Sequence, residues 1–289
     1  MLAFSNGRYL PFAEGGLAWN DAGFVGGVTV VDNARTYRHR LFRWNDHLER
    51  FRRDCAACFV PLLASDAELT AIAEKLIAHN STPDGELQVV TFATPGPLGF
   101  YVGSAENGPP TLGMVTYPVP MARYQKFATE GVTLVTVGTH STASDILPPT
   151  VKHRSRMMWH IADHLAKSTP NAIALLSDDA LGTLTETAIG SLLAVVDGTV
   201  VTPPRNAILD GISLRVIEEL CHTHNIPFAE SRLPLSAMTS QTELMLTGTG
   251  FGLAGVRYLN DMQLPWPGPM YQKLQKAWSE MLTSHRATS

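Results

Sequence analysis

The stretch Ile146–Met158, ILPPTVKHRSRMM, places one lysine where no regular element can continue. Pro148 and Pro149 fix their own φ and bar the residues before them from helix, so the segment turns before the apolar-periodic run that follows Ser155. Lys152 therefore sits at a defined bend, where a side chain can be aimed into a cleft. The chain has only six lysines against sixteen arginines. Lys75 lies on the polar side of an expected helix, Lys126 in a polar stretch, and Lys167, Lys273 and Lys276 within or at the ends of amphipathic helices. All five read as solvated. An amine is a nucleophile only when unprotonated, and neighbouring positive charge lowers its pKa. His153, Arg154 and Arg156 can supply that charge. A basic helix start facing solvent is the competing reading, and other segments have to decide.

Outward from Lys152, the second half of the chain reads as short strands interleaved with helices: strand GVTLVTV upstream, then a helix over SRMMWHIADHLAKS, strands NAIALLS and SLLAVV, a helix over SLRVIEELCHTHN, strand ELMLTG and a helix over YQKLQKAWSEML. The stretch MARYQKFATEG has the composition of a connection and places a boundary between domains spanning 1–122 and 123–289. In the first half, GRYLPF, GGVTVVDNARTY and HRLFRW read as one antiparallel meander. A helix is expected from Asn45 as N-cap, with Leu48, Phe51, Cys55 and Phe59 on its apolar face. A second helix over SDAELTAIAEKLIAHN begins with Ser65 and Glu68 in capping-box spacing. Strands follow in ELQVVTFAT and PTLGMVTYPVP.

Composition narrows the function. A length of 289 residues favours two domains on a prior of roughly 100 to 200 residues each. A net charge of −4 leaves no positive field for nucleic acid or an anionic membrane, so the expected ligand is a small molecule. No basic leader precedes an apolar run and no stretch reaches a bilayer span, which reads as a cytoplasmic protein. Three cysteines make no disulfide framework, and the CxxC of Cys55 and Cys58 falls inside a helical run, where a buried face outweighs a redox or metal role. His160 with His164 gives HxxxH without a third ligand, so no metal is expected.

Three further segments supply chemistry. Glu186, in LGTLTETAIGSLLAVV, is a carboxylate beside a strand; such a group can hold a pyridine nitrogen protonated, although a glutamate there is more often a surface charge. ILDGISLRVIEEL puts Gly211, Ile212 and Ser213 where a loop becomes a helix, and unpaired N–H groups at a helix start bind anions; a simple N-cap is the plainer reading. LMLTGTGFG runs a strand into Thr247, Gly248, Thr249 and Gly250, with hydroxyls and flexible amides suited to a phosphate.

In this order the pieces resemble the class IV aminotransferases, fold type IV of the pyridoxal-phosphate enzymes, which include branched-chain aminotransferases, D-amino acid transaminases and aminodeoxychorismate lyases. The resemblance runs from about Leu10 to about Pro269 and is carried by NDAGFVGGVTVVDNARTY, FRWNDHLERF, VKHRSRM, TETAIGSLLAVVDGTVVTPP, ILDGISLR and LTGT. It implies an α/β (α+β) fold with a small N-terminal α/β domain, a larger C-terminal domain round a barrel-like sheet, and a homodimer. It also implies pyridoxal 5′-phosphate as cofactor, with Lys152 as the Schiff-base lysine and Glu186 facing the pyridine nitrogen. The phosphate falls to Arg50, to Ile212 through backbone, and to Ser213 and Thr249, with Gly211 of the same helix start as a further cofactor-binding candidate. The implied reaction moves an amino group between an amino acid or amine and a 2-oxo acid.

This sequence departs from the family pattern in places that bear on substrate. Gly26 stands where many relatives have tyrosine, Ser191 where asparagine is common, Leu214 where arginine is usual, and Met157 where branched-chain enzymes have tyrosine. LGFYVGS carries no Arg-X-His pair of the kind that D-amino acid transaminases use on the substrate carboxylate. KHRSR most resembles the lyase pattern KHxNR, which keeps a pyruvate-releasing lyase as an alternative; a non-catalytic ligand-binding member is the alternative of another class. Gly26 and Gly250 together imply a roomy pocket.

Overall fold

Short β-prone runs broken by left-handed turns open the chain: β1 (Leu2–Ser5), β2 (Arg8–Pro11), the one-turn α1 (Ala22–Val25), β3 (Val30–Tyr37) and β4 (Arg40–Leu41). The computed structural model describes residues 1–140, 147–177 and 182–284. Helices α2 (Trp44–Ala57) and α3 (Asp66–Asn80) follow, then β5 (Leu87–Thr94) and β6 (Thr111–Pro118). The remainder comprises α4 (Met121–Glu130), β7 (Val132–His140), α5 (Met157–Ala166), β8 (Ile173–Ser177), β9 (Thr183–Thr187), β10 (Gly190–Val196), β11 (Thr199–Thr202), α6 (Ile212–Thr223), β12 (Phe228–Glu230), β13 (Leu233–Pro234), β14 (Glu243–Gly248), β15 (Gly252–Leu259), β16 (Met262–Gln263) and α7 (Pro269–Ser284). Two compact units result, Met1–Val119 with Val151–Arg156, and Pro120–Thr150 with Met157–Ser289. The lysine segment thus groups with the first unit.

The first unit is a six-stranded antiparallel sheet in the order β2-β1-β6-β5-β3-β4. The expected single meander is corrected: the two N-terminal hairpins occupy opposite edges of the sheet, with β6 and β5 between them. The cause lies in residues 12–29, which leave the sheet. Asp21 caps α1 by accepting from the Gly23 N–H, and its carboxylate also accepts from the Thr94 and Thr111 hydroxyls. Leu48, Phe51, Leu69 and Leu76 of α2 and α3 pack with Val30, Val89 and Met114 of the sheet.

Ser65 and Glu68 form the expected capping box at the start of α3. Asn45 does not cap α2: the N-cap is Arg43, in the left-handed region at φ 53°, without a side-chain cap bond. Phe59 also leaves the expected face. The helix stops at Cys58, Phe59 turns left-handed at φ 53° with 91 % of its surface exposed, and Val60 rotates into the core instead.

In the second unit six strands close on themselves, because β9, at the end of the path β10-β14-β15-β7-β8-β9, pairs again with β10. This is the barrel-like sheet implied by the resemblance. Its inward row alternates along each strand, with Val132 and Leu134, Ile173 and Leu175, Leu192 and Ala194, Leu244 and Leu246, and Ala254 and Val256 in one buried cluster. Parallel β7 and β8 are joined through α5, and parallel β11 and β12 through α6. MARYQKFATEG is a helix rather than a connection: Tyr124 and Phe127, three residues apart, pack against this cluster. No helix among the described residues is long and apolar enough to cross a membrane.

These caps give a paired test by equilibrium urea unfolding. Ser65→Ala is expected to cost about 1 kcal/mol, whereas Asn45→Ala, exposed and outside the cap, is expected to change stability by less than about 0.5 kcal/mol.

Candidate active site

In the first unit the site grows from one face of α2. His47, Arg50 and Asp54 are all buried on it, at spacings of three and four that align them toward β3. Asp32 of β3 meets this face: its Oδ2 accepts from Arg50 Nε at 2.8 Å, and its Oδ1 accepts from Arg50 Nη2 at 3.0 Å and His47 Nδ1 at 2.6 Å. Burial works against ionising Asp32, but the Arg50 and His47 charges and hydrogen bonds outweigh it and hold the carboxyl well below the usual carboxylate range. Burial lowers the pKa of His47 in spite of Asp32.

The Lys152 segment lies along the near end of β3. The Val31 N–H donates to the Lys152 carbonyl at 3.0 Å, the Arg154 N–H donates to the Thr29 carbonyl at 2.9 Å, and His153 bridges Val30. The Ser155 hydroxyl donates to the Gly27 carbonyl at 2.8 Å. The Lys152 N–H donates to Asp54 Oδ2 at 2.8 Å. The Lys152 amine is pushed down to about 8, first by burial and next by the Arg50 charge; Asp32 opposes the shift, and Arg156 and Arg154 add to it. The sequence points to His153, Arg154 and Arg156 for this effect, but the leading causes are burial and Arg50, brought in from a helix a hundred residues away. Lys75, Lys126, Lys167, Lys273 and Lys276 are exposed, as expected.

The second unit gathers the remaining residues at one end of the barrel. Ser191 of β10 pairs with Glu186 of β9 on one side and with Thr247 of β14 on the other. A Cβ added to Gly211 would come 3.1 Å from the Ser191 hydroxyl oxygen. The Leu209 N–H donates to Glu186 Oε2 at 3.2 Å, so the turn before α6 is tied to the same carboxylate. Gly211 is the N-cap of α6 and no side chain caps that helix; Ile212 and buried Ser213 form its first turn. The first-turn N–H groups and the positive end of the helix dipole are therefore available to an anion. Thr249 follows the end of β14, in the turn to β15. Gly250 does not open a pocket: a Cβ there would fall 2.3 Å from the Tyr124 hydroxyl, and that ring packs on Phe127 and Phe251.

Other candidates fall away. Burial, then the Asp54 charge, pushes the Cys55 thiol up to about 12, and burial raises Cys58 as well, so the CxxC is poorly suited to thiolate chemistry. His160 and His164 are both exposed, and no cluster of metal-ligating groups occurs among the described residues. A surface recess of about 830 Å³ beside the β3–β4 hairpin, walled by Trp44, Ile77 and Pro83 among others, contains none of the residues above. Sequence reasoning missed Asp32, His47 and Asp54. His47 and Asp54 flank Arg50 at helical spacing, so the α2 pattern held a signal; Asp32 required the strand register.

The family model for amino-transferase class IV matches residues 29–259. The chain belongs to this family. The class IV family is pyridoxal-phosphate-dependent, and the chain is an aminotransferase. It is 27% identical over 290 residues to a D-alanine aminotransferase of Staphylococcus aureus strain N315, covering 98% of each chain. Among solved structures it resembles the branched-chain amino acid aminotransferase of Escherichia coli, with a TM-score of 0.86 at 18% identity over 98% of this chain and 95% of that one. It also resembles a hypothetical aminotransferase from Mycobacterium tuberculosis in its PLP-bound form, with a TM-score of 0.84 at 18% identity over 99% of this chain and 100% of that one.

Competitive acylation of the cofactor-free protein, read by peptide mass spectrometry, tests the Lys152 environment. Its labelling should rise through a midpoint near pH 8. Arg50→Gln should move that midpoint upward, because removing a like charge favours the ammonium form.

Proposed function

We propose that Lys152 carries pyridoxal phosphate in this aminotransferase and then serves as its proton-transfer base. The observation that carries the reading is that one of six lysines is half-buried beside a buried guanidinium, with its amine pushed down to about 8, while the other five are exposed. The residues fit the group. An amine with a depressed pKa suits an aldehyde, a guanidinium suits a phosphate, and Gly211 provides a backbone approach that a side chain would fill.

In this reading Arg50, the backbone of Gly211 and Ile212, and the hydroxyls of Ser213 and Thr249 hold the phosphate, and Glu186 holds the pyridine nitrogen protonated. Asp32 fixes the plane of the Arg50 fork. Bound pyridoxal phosphate supplies the aldehyde that takes up the donor's amino group and a ring that accepts the electron pair left when the α-proton departs. Freed by an incoming amine, Lys152 Nζ would take the proton from the substrate α-carbon and pass it on within the same half-reaction, and would carry a proton the opposite way, to the carbon of the 2-oxo acid, in the second half of the cycle. An amine near pH 8 is unprotonated in about one molecule in ten at neutral pH and so can do both. The working assembly in this reading is a homodimer, as the resemblance implies.

Borohydride reduction of the loaded protein should leave a pyridoxyl group on Lys152. Lys152→Ala should lose both the adduct and turnover, and full activity in that variant would reject the role. Glu186→Ala should keep the cofactor and slow turnover by at least about a hundredfold, the range for loss of an acid–base or electrostatic group.

The amino donor is best sought among those named for its relatives, D-alanine and the branched-chain amino acids. A half-reaction panel of D- and L-amino acids, followed by cofactor absorbance, should show conversion to the pyridoxamine form for at least one of them. KHRSR favours the lyase as a second reading. Pyruvate release from aminodeoxychorismate without a 2-oxo acid acceptor, together with a silent panel, would replace the transaminase assignment.

A further inference from the structure

Arg50 and Asp54 stand one helical turn apart on the same buried face of α2. They reach the Lys152 segment in different ways. Arg50 acts on the amine through its charge. Asp54 is fully buried and acts on the backbone: its Oδ2 accepts from the Lys152 N–H at 2.8 Å, and its Oδ1 accepts from Arg53 Nε at 3.0 Å and Nη2 at 2.9 Å. The segment's bonds to residues 27–31 include backbone-to-backbone pairs and the Ser155 hydroxyl on the Gly27 carbonyl, and within the segment the Ser155 N–H donates to His153 Nδ1 at 3.2 Å. Burying a carboxylate is costly unless its oxygens are satisfied. Burial indeed raises the Asp54 pKa, with the Lys152 amide and Arg53 countering only part of the effect. A carboxylate kept in so unfavourable a place, with one oxygen on the amide of this one lysine, has a mechanical use.

We propose that Asp54 is a positioning residue, whose carboxylate fixes the Lys152 backbone on α2 and thereby sets where the amine projects relative to Arg50. The inference rests on the assignment of Lys152 as the cofactor-bearing lysine. It adds that α2 is the common mount for the lysine's backbone and the cation expected to hold the phosphate. Misplacing a reacting group by about 1 Å can cost about a hundredfold in rate. Loosening the strap should therefore slow capture of the aldehyde while the fold persists.

The test has two readouts on Asp54→Ala and Asp54→Asn, the latter keeping an acceptor oxygen. In the cofactor-free protein, hydrogen exchange at the Lys152 amide should accelerate at least about tenfold in Asp54→Ala and stay within about threefold of wild type in Asp54→Asn, as for loss or retention of a charge-assisted bond. The rate of covalent attachment of pyridoxal phosphate, trapped with borohydride, should fall in the same order, with the Asn variant largely rescued. If Asp54→Ala does not fold, Asp54→Ser, with its oxygen withdrawn by one atom, takes its place.

Unchanged exchange at Lys152 in Asp54→Ala overturns the proposal. So does equal slowing of attachment in the Ala and Asn variants that merely tracks a loss of thermal stability. A wild-type protein that forms no adduct at Lys152 refutes the cofactor assignment instead, and the exchange comparison then still decides whether Asp54 straps this backbone.

Discussion

Lys152 is held in place by its main chain, and that constraint organises the first unit. The chain leaves the second unit after Thr150, lays six residues against the first, and returns at Met157. Buried backbone donors and acceptors must find partners, and these find them on Thr29, on the Val30–Val31 end of β3 and on Asp54. That end of β3 can receive them because β4 is only two residues long and pairs with Thr36 and Tyr37 at the far end. A longer β4 would occupy the same edge. The brevity of the β3–β4 hairpin, which turns through left-handed Arg38 and His39, is thus a condition for the lysine's position.

Once the segment is docked, electrostatics follow. A buried guanidinium and the half-buried Lys152 amine repel, and Asp32 is the counter-charge that makes the arrangement tolerable. It takes the Nε–Nη2 edge of Arg50 and opposes Arg50 in setting the Lys152 pKa. Breaking such a buried pair by removing one partner costs about 3–5 kcal/mol, because the other charge is left without compensation. Asp32 therefore has two effects that mutation cannot separate cleanly: it orients the cation, and it keeps the lysine from being depressed further.

Local patterns made much of this legible from sequence, and long-range register made the rest illegible. The capping box at Ser65, the start of α6 at Gly211 and the isolation of Lys152 from the other lysines are each written within a few residues. Arg50 emerged only through a family resemblance whose motifs lie in order along the chain. Asp32 was hidden because its role depends on β3 facing α2. Asp54 was hidden because its partner lies ninety-eight residues away. The misreadings have equally concrete causes. MARYQKFATEG looks polar as a whole, yet Tyr124 and Phe127 share one helical face. The meander failed because Asp21 draws residues outside the sheet into a capped turn.

The two units also differ in how they present positive potential. In the first it comes from side chains, Arg50 and Lys152. In the second, Leu214 is fully buried, and the start of α6 offers backbone N–H groups and a glycine N-cap instead. An acidic residue directly before such a helix start works against anion binding. Asp210 occupies that position, but its carboxylate is taken up by Arg215, with Arg205 at 3.9 Å. Arg205 in turn reaches Glu218 at 2.5 Å and Glu230 at 3.3 Å, tying the turn to α6 and β12. Arg215 thus engages Asp210, so the acidic residue before the helix start is compensated and no side chain caps the first-turn amides.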